Sequence, residues 1–90
     1  MRGRMMEMPL LVSSLIEHAG AVYGDRPVVS RSVEGPVVRA TWREVRDRSR
    51  RLAGALQNRG IGRADRLATL AWNTQRHLEV YYGASGMGAV

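Results

Sequence analysis

The run "RLATLAW" (66–72) is almost entirely apolar, and "NTQRHLEVYYGASGMGAV" (73–90) follows it directly. A short segment without polar alternation is expected to bury both faces, as a parallel strand flanked by helices does. Asn73 or Thr74 is placed to cap the next helix. Leu78, Tyr81, Tyr82 and Ser85 then recur at helical spacing. Gly83 and Gly86 each weaken that helix by about 1 kcal/mol relative to Ala at an exposed interior site. Close approach to a neighbouring backbone is the expected compensation. Gly88 ends the helix and Ala89-Val90 open a strand. Strand, helix, strand is a βαβ unit, so the second strand is expected to lie with or beside the first and to continue beyond Val90.

The rest of the chain supplies two more helices and a hairpin. From Leu10 to Tyr23 the pattern is helical, with Val12, Leu15, Ile16, Ala19 and Val22 on one face. Ser14 and Glu17 have capping-box spacing. Gly24-Asp25 ends this helix and Pro27 bars its continuation. "PVVSR" (27–31) and "PVVRA" (36–40) read as a peripheral hairpin around "SVEG", each run opening with Pro. "TWREVRDRSRRLAGALQNRG" (41–60) is the clearest helix. Thr41 is its N-cap, Glu44 the reciprocal partner and Gly60 its stop. Trp42, Val45, Leu52, Ala53 and Leu56 line one face of it, with Ser49 between them. "GIGRAD" (60–65) is a turn.

Ninety residues allow one small domain or a piece of a larger one. With 44% hydrophobic and 24% charged residues, the composition is globular. Cys is absent, which excludes disulfides and thiolate metal sites and is compatible with a reducing, cytoplasmic setting. The net charge is +6, and all fourteen basic residues are Arg. They are scattered along the chain, so compositional bias is favoured over an anionic partner. Arg43, Arg46, Arg48, Arg50 and Arg51 form a row on the 41–60 helix. A solvated face partly paired with Glu44 and Asp47 is favoured there over nucleic-acid binding. No apolar run is long enough for a membrane helix. Glu7, Pro9, Glu17 and His18 argue against a signal peptide, and residues 1–8 read as a mobile terminus.

Chemistry-bearing constellations do not emerge. His18 and His77 fall on different helices without ligand spacing. Glu79 is two positions from His77, so the two point apart. Ser13, Ser14 and Ser85 lack the Gly-x-Ser-x-Gly turn of a hydrolase. "GASGMG" (83–88) closes a helix, whereas a phosphate loop opens one. Without Lys, Schiff-base and Walker-type lysine chemistry are excluded from this chain. Tyr23, Tyr81, Tyr82, Trp42 and Trp72 are not interleaved with a basic stripe and read as packing residues. No catalytic, cofactor-binding or metal-binding residue is assigned.

Three stretches carry a resemblance: "TWREVRDRSRRLAGALQNRGIGRADRLATLAWNTQRHLEVYYGASGMGAV" (41–90), "PLLVSSLIEHAGAVYGDRPVVSR", and within the first "WNTQRHLEVYYGASGMGAV". Together they resemble the N-terminal region of AMP-forming acyl-CoA synthetases, in the fatty-acyl-CoA ligase branch of the adenylate-forming superfamily. The likeness covers residues 9–90. It implies an α/β fold that is an incomplete N-terminal portion of the large adenylate-forming domain. The implied order is helix, β-hairpin, helix, strand, helix, start of strand. It also implies that a full-length relative activates a medium- or long-chain fatty acid with Mg-ATP to an acyl-adenylate and transfers the acyl group to coenzyme A. The family's phosphate loop, nucleotide-binding motifs and catalytic lysine match nothing here. The 90-residue chain alone is therefore expected to be inactive. The alternatives are a small Arg-rich nucleic-acid-binding module, or an interaction module that dimerises through an open sheet edge. One departure is Ala64, where the family usually has Gly. An Ala there disfavours positive φ and implies a strained or reshaped turn.

Overall fold

A computed structural model describes residues 7–90. The expected mobile terminus, residues 1–8, therefore lies outside the described residues except for Glu7 and Met8. The elements are α1 (Val12–Val22), β1 (Pro27–Arg31), β2 (Val37–Thr41), α2 (Trp42–Asn58) and α3 (Gln75–Gly86). The architecture is mixed helix and small antiparallel sheet, as the α/β expectation requires. α2 packs against both α1 and α3, and the hairpin leads directly into α2.

α2 forms where its caps place it. Thr41 Oγ1 accepts from the Glu44 N–H at 3.2 Å, and Glu44 Oε2 accepts from the Thr41 N–H at 3.0 Å. This is the expected capping box. At the other end Gly60 takes φ +88°, with Gly60 N–H bonded to Gln57 O and Ile61 N–H to Leu56 O. Only a residue without Cβ adopts that φ cheaply, and the two bonds satisfy carbonyls the helix leaves free. α3 ends the same way, with Gly88 at φ +84°, Gly88 N–H on Ser85 O and Ala89 N–H on Ala84 O. Thr41→Ala should cost about 1 kcal/mol of stability. Urea unfolding of the two proteins checks this, and an unchanged midpoint would contradict it.

α1 departs from expectation at its start. Its N-cap is Leu11, without a side-chain cap, and Ser14 lies inside the helix. Ser14 Oγ donates back to Leu11 O at 2.6 Å, and Glu17 pairs with Arg50, so the Ser14/Glu17 capping box does not form. Its expected apolar face also divides. Ile16 is buried and Ala19 half-buried, while Val12, Leu15 and Val22 are exposed. The reason is that α1 meets α2 along a narrow Ile16–Gly20 stripe.

The hairpin is antiparallel, with Pro27 opposite Thr41 and Arg31 opposite Val37. Its second strand begins one residue later than expected, at Val37. Pro36 has no N–H to offer a ladder, and its carbonyl accepts from Ser32 Oγ at 3.0 Å within the loop.

The core is small. Ile16 and Val45 are its buried apolar side chains among the described residues. Trp42, Leu52, Ala53 and Leu56 are half-buried, and Ser49 is buried with its hydroxyl on Val45 O at 2.7 Å. On α3 the expected face is displaced. Leu78, Tyr82 and Ser85 are half-buried and Tyr81 is exposed, whereas Glu79 and Gly83 are buried. Gly83 is the contact point, because a Cβ there would lie 2.9 Å from Ser49 O. That is the close backbone approach expected of the α3 glycines. Gly86 does not share it, since its nearest neighbour would be Ser13 Cβ at 3.8 Å.

The largest correction concerns residues 66–72. The sequence predicts a strand buried on both faces, yet no strand is formed over them and Leu70 is fully exposed. The missing ingredients are sheet neighbours along its length and a covering layer on the face away from α3, neither of which the described residues supply.

The turn before this segment is strained. Ala64 sits at φ +68°, a left-handed conformation that costs an L-residue with Cβ about 1–2 kcal/mol. Its N–H is held by Gly88 O at 2.8 Å, and Asp65 Oδ2 accepts from the Gly62 N–H at 2.7 Å. Ala64→Gly should therefore stabilise the chain by about 1 kcal/mol, after allowing for the looser unfolded state. A thermal melt that does not rise would show that the turn relaxes instead.

Candidate functional site

Three surfaces hold the polar and apolar groups not absorbed by the small core. The first is a cleft of about 560 Å³ between the hairpin loop and the start of α3. Trp72, Thr74 and Arg76 line its α3 side, and Ser32 and Glu34 its loop side. It sits where segment 66–72 runs into α3. Thr74 occupies the N-cap position of α3 but makes no side-chain cap bond, and the first turn holds no acidic residue. The cleft can present helix N–H groups and a guanidinium to an anion. It offers no acid–base pair and no activated nucleophile, since Ser32 Oγ is engaged with Pro36 O.

The second surface is the arginine row of α2, which the fold largely neutralises. Arg43 pairs with Asp25 at 2.6 Å, Arg46 with Asp47 at 3.1 Å, Arg48 with Glu79 at 2.7 Å, and Arg50 with Glu17. Of the two expected partners, Asp47 pairs with the row. Glu44 is instead engaged in the capping box, and the remaining acids come from other elements. Arg51 has no acidic partner among the described residues. A row so engaged is not a free phosphate-binding stripe.

Glu79 is the residue that sequence reasoning passed over. It is 7% exposed, at the floor of a shallow cavity shared by Arg48, Arg51 and Arg76. Arg48 Nε lies 2.7 Å from Glu79 Oε1, yet that oxygen accepts no aligned hydrogen bond. The contact is one of charge more than of direction. A signal was available: Glu79 stands one helical turn before Gly83, the residue that admits α2, and so shares its face. His77 faces elsewhere, with Nε2 3.2 Å from Thr69 Oγ1. His18 packs edge-on against Tyr23, so the two histidines stay apart. Among the described residues no group of three His, Asp or Glu side chains comes together to hold a metal ion.

The third surface is the edge of segment 66–72. Val90 N–H donates to Asp65 O, and Leu67 N–H donates to Val90 O, each at 2.7 Å. These two bonds bracket Arg66 as the evenly spaced bonds of a parallel pair do. Of the strand–helix–strand expectation the described residues form this single bridge and neither strand. Beyond it Leu70 is bare and Trp72 is 73% exposed. The geometry is that of a two-bond bridge beside an exposed apolar segment.

Comparison with known proteins gives these surfaces a context. Residues 16–90 match the family described as "AMP-binding enzyme". The chain is 49% identical over 90 residues to a 3-methylmercaptopropionyl-CoA ligase of Ruegeria lacuscaerulensis, covering 100% of this chain and 17% of that protein. It is 51% identical over 90 residues to a medium-chain-fatty-acid–CoA ligase of Ectopseudomonas oleovorans, covering 100% of this chain and 16% of that one. A long-chain-fatty-acid–CoA ligase of Thermus thermophilus is 48% identical over 86 residues, 96% of this chain and 16% of that protein. The chain thus spans about one-sixth of the length of the curated relatives it matches. Its helices and small sheet are consistent with the N-terminal portion of such a domain, and the chain belongs to the AMP-binding enzyme family.

Proposed function

We propose that residues 9–90 form the opening scaffold of an AMP-forming acyl-CoA ligase acting on medium- or long-chain fatty acids. The observation that carries this reading is the likeness, at about half identity along the whole chain, to CoA ligases. In that reaction a carboxylate oxygen attacks the α-phosphorus of ATP and pyrophosphate leaves. The thiol of coenzyme A then attacks the acyl carbon and AMP leaves. The described residues do not fit a Mg-ATP site, having no acidic metal cluster and no lysine, so no step is assigned to them. Their part is mechanical. They hold α3 and the apolar segment before it against α2, a base on which the rest of a ligase domain would order.

A cytoplasmic setting belongs to the same proposal. It is supported by the cysteine-free composition, and no helix of the described residues is long and apolar enough to cross a membrane. Homodimerisation through the open edge is a competing use of that surface, and sedimentation over a range of concentrations reads it.

ATP–pyrophosphate exchange tests the enzymatic reading. A longer protein containing this sequence should catalyse exchange with medium- or long-chain fatty acids, and 3-methylmercaptopropionate is the informative rival substrate. The 90-residue chain should stay at the no-enzyme blank. Exchange by the short chain would overturn the scaffold role, and a longer protein inert with every acid would overturn the ligase reading.

A further inference from the structure

We propose that the groove between β2, α2 and α3 binds a diphosphate group, either free pyrophosphate or the phosphate tail of a nucleotide. Two cavities, of about 470 Å³ and about 310 Å³, share Arg48, Arg51 and Glu79 in their linings. Arg76 adds a guanidinium to the first and Arg39 to the second. The four arginines come from three elements, so it is the fold that gathers them. Elsewhere on α2, Arg43, Arg46 and Arg50 are hydrogen-bonded to acids. In the groove, Arg39, Arg51 and Arg76 make no hydrogen bond or ion pair among the described residues. A guanidinium has five N–H donors and accepts nothing, so these three can only be satisfied by water or by an anion.

Glu79 separates this groove from an ordinary basic surface. It is 7% exposed and lies in the lining common to both cavities. Its Oε1 is buried and accepts no hydrogen bond, although Arg48 Nε is 2.7 Å away. The carboxylate therefore holds Arg48 by charge and leaves its N–H groups uncommitted. Glu44, the other acid of the groove, already has Oε2 on the Thr41 N–H. Four guanidiniums against two carboxylates leave a net positive charge. A planar guanidinium gives paired N–H donors to phosphate oxygens, which makes arginine the residue for such a group. Arg76 belongs to one cavity, Arg39 to the other, and Arg48 and Arg51 to both. That division suits two linked phosphoryl groups better than one. The proposal uses only these side chains and stands without the ligase reading.

Isothermal titration calorimetry of the 90-residue chain with sodium pyrophosphate, in the presence of a chelator, tests it. One site is expected. Orthophosphate, and succinate as a dicarboxylate, should bind about tenfold more weakly or worse. Arg51→Gln and Arg76→Gln should each weaken pyrophosphate binding about tenfold. Both side chains are exposed and unpaired, so neither substitution threatens the fold. Arg59→Gln removes the same charge at the end of α2 and should change the affinity less than about twofold. Urea unfolding gives a second reading. Saturating pyrophosphate should raise the midpoint of the parent and leave that of the doubly substituted Arg51→Gln, Arg76→Gln chain unmoved. ADP distinguishes the sources. Binding as tight as pyrophosphate assigns a nucleotide tail, weaker binding assigns the free anion, and either supports a diphosphate site. Three results would overturn the proposal: neither heat nor a midpoint shift at millimolar pyrophosphate, orthophosphate or succinate as tight as pyrophosphate, or equal losses from Arg59→Gln and Arg51→Gln. The last would mean attraction to net charge alone. No reading depends on ATP–pyrophosphate exchange, so failure here and failure of the ligase reading are distinguishable.

Discussion

Replacing Arg48 with Ala should lower the unfolding free energy by about 2–3 kcal/mol. Glu79 is 7% exposed, and Arg48 is the cation that lies against it, at 2.7 Å. Without that cation the carboxylate keeps its desolvation cost and loses its attraction. The figure falls below that of a fully buried pair because the Arg48 side chain is 53% exposed and already shares its charge with water. Arg51 and Arg76 share the cavity and partly compensate. Combining Arg48→Ala with Glu79→Met should recover most of the loss, because an apolar side chain of similar volume needs no partner. Urea unfolding of the parent, the single and the double variant measures both effects. A single variant within about 0.5 kcal/mol of the parent would mean that the pair contributes no more than an exposed one.

Gly83→Ala should cost about 1–3 kcal/mol, although Ala is the better helix former. The new Cβ would stand 2.9 Å from Ser49 O and 3.4 Å from Leu52 Cδ2. Leu52 can turn aside, but Ser49 O is backbone, so α2 and α3 must move apart. Separating them also strains the Arg48–Glu79 contact, which bridges the same two helices. Gly54 is the control. It lies inside α2, and a Cβ added there would meet nothing within 4 Å, so Gly54→Ala should gain up to about 1 kcal/mol. Opposite shifts in urea midpoint are expected from the two substitutions. If both stabilise, the helices are not in the contact described.

Local chemistry was the legible part of this protein. The Thr41–Glu44 box, the stops at Gly60 and Gly88 and the hairpin are each decided within a few residues. The strain at Ala64 was readable only through the family resemblance, because the turn by itself does not tell which residue takes positive φ. Long-range choices were not readable. Leu15 and Val22 have the spacing of a core face, but α1 presents the Ile16–Gly20 stripe to its neighbour. Tyr81 looked like packing and is exposed, while Glu79, read only as pointing away from His77, is buried. Periodicity ranks faces by hydrophobicity, but burial follows from which helix can come closest. On α3 the small Gly83 decided that.

The segment that opened the sequence shows the same division. Its order of apolar run, helix and glycine stop was determined by the residues alone, since propensity and positive φ act over one or two turns. So was the family likeness carried by that order. Only the tertiary structure decided that Val90 pairs in parallel with Asp65 and Leu67, and that Leu70 and Trp72 remain bare. Hydrophobicity states that a strand is to be buried. What buries it is another piece of polypeptide, and its place is set by hydrogen-bond register and packing across the whole domain.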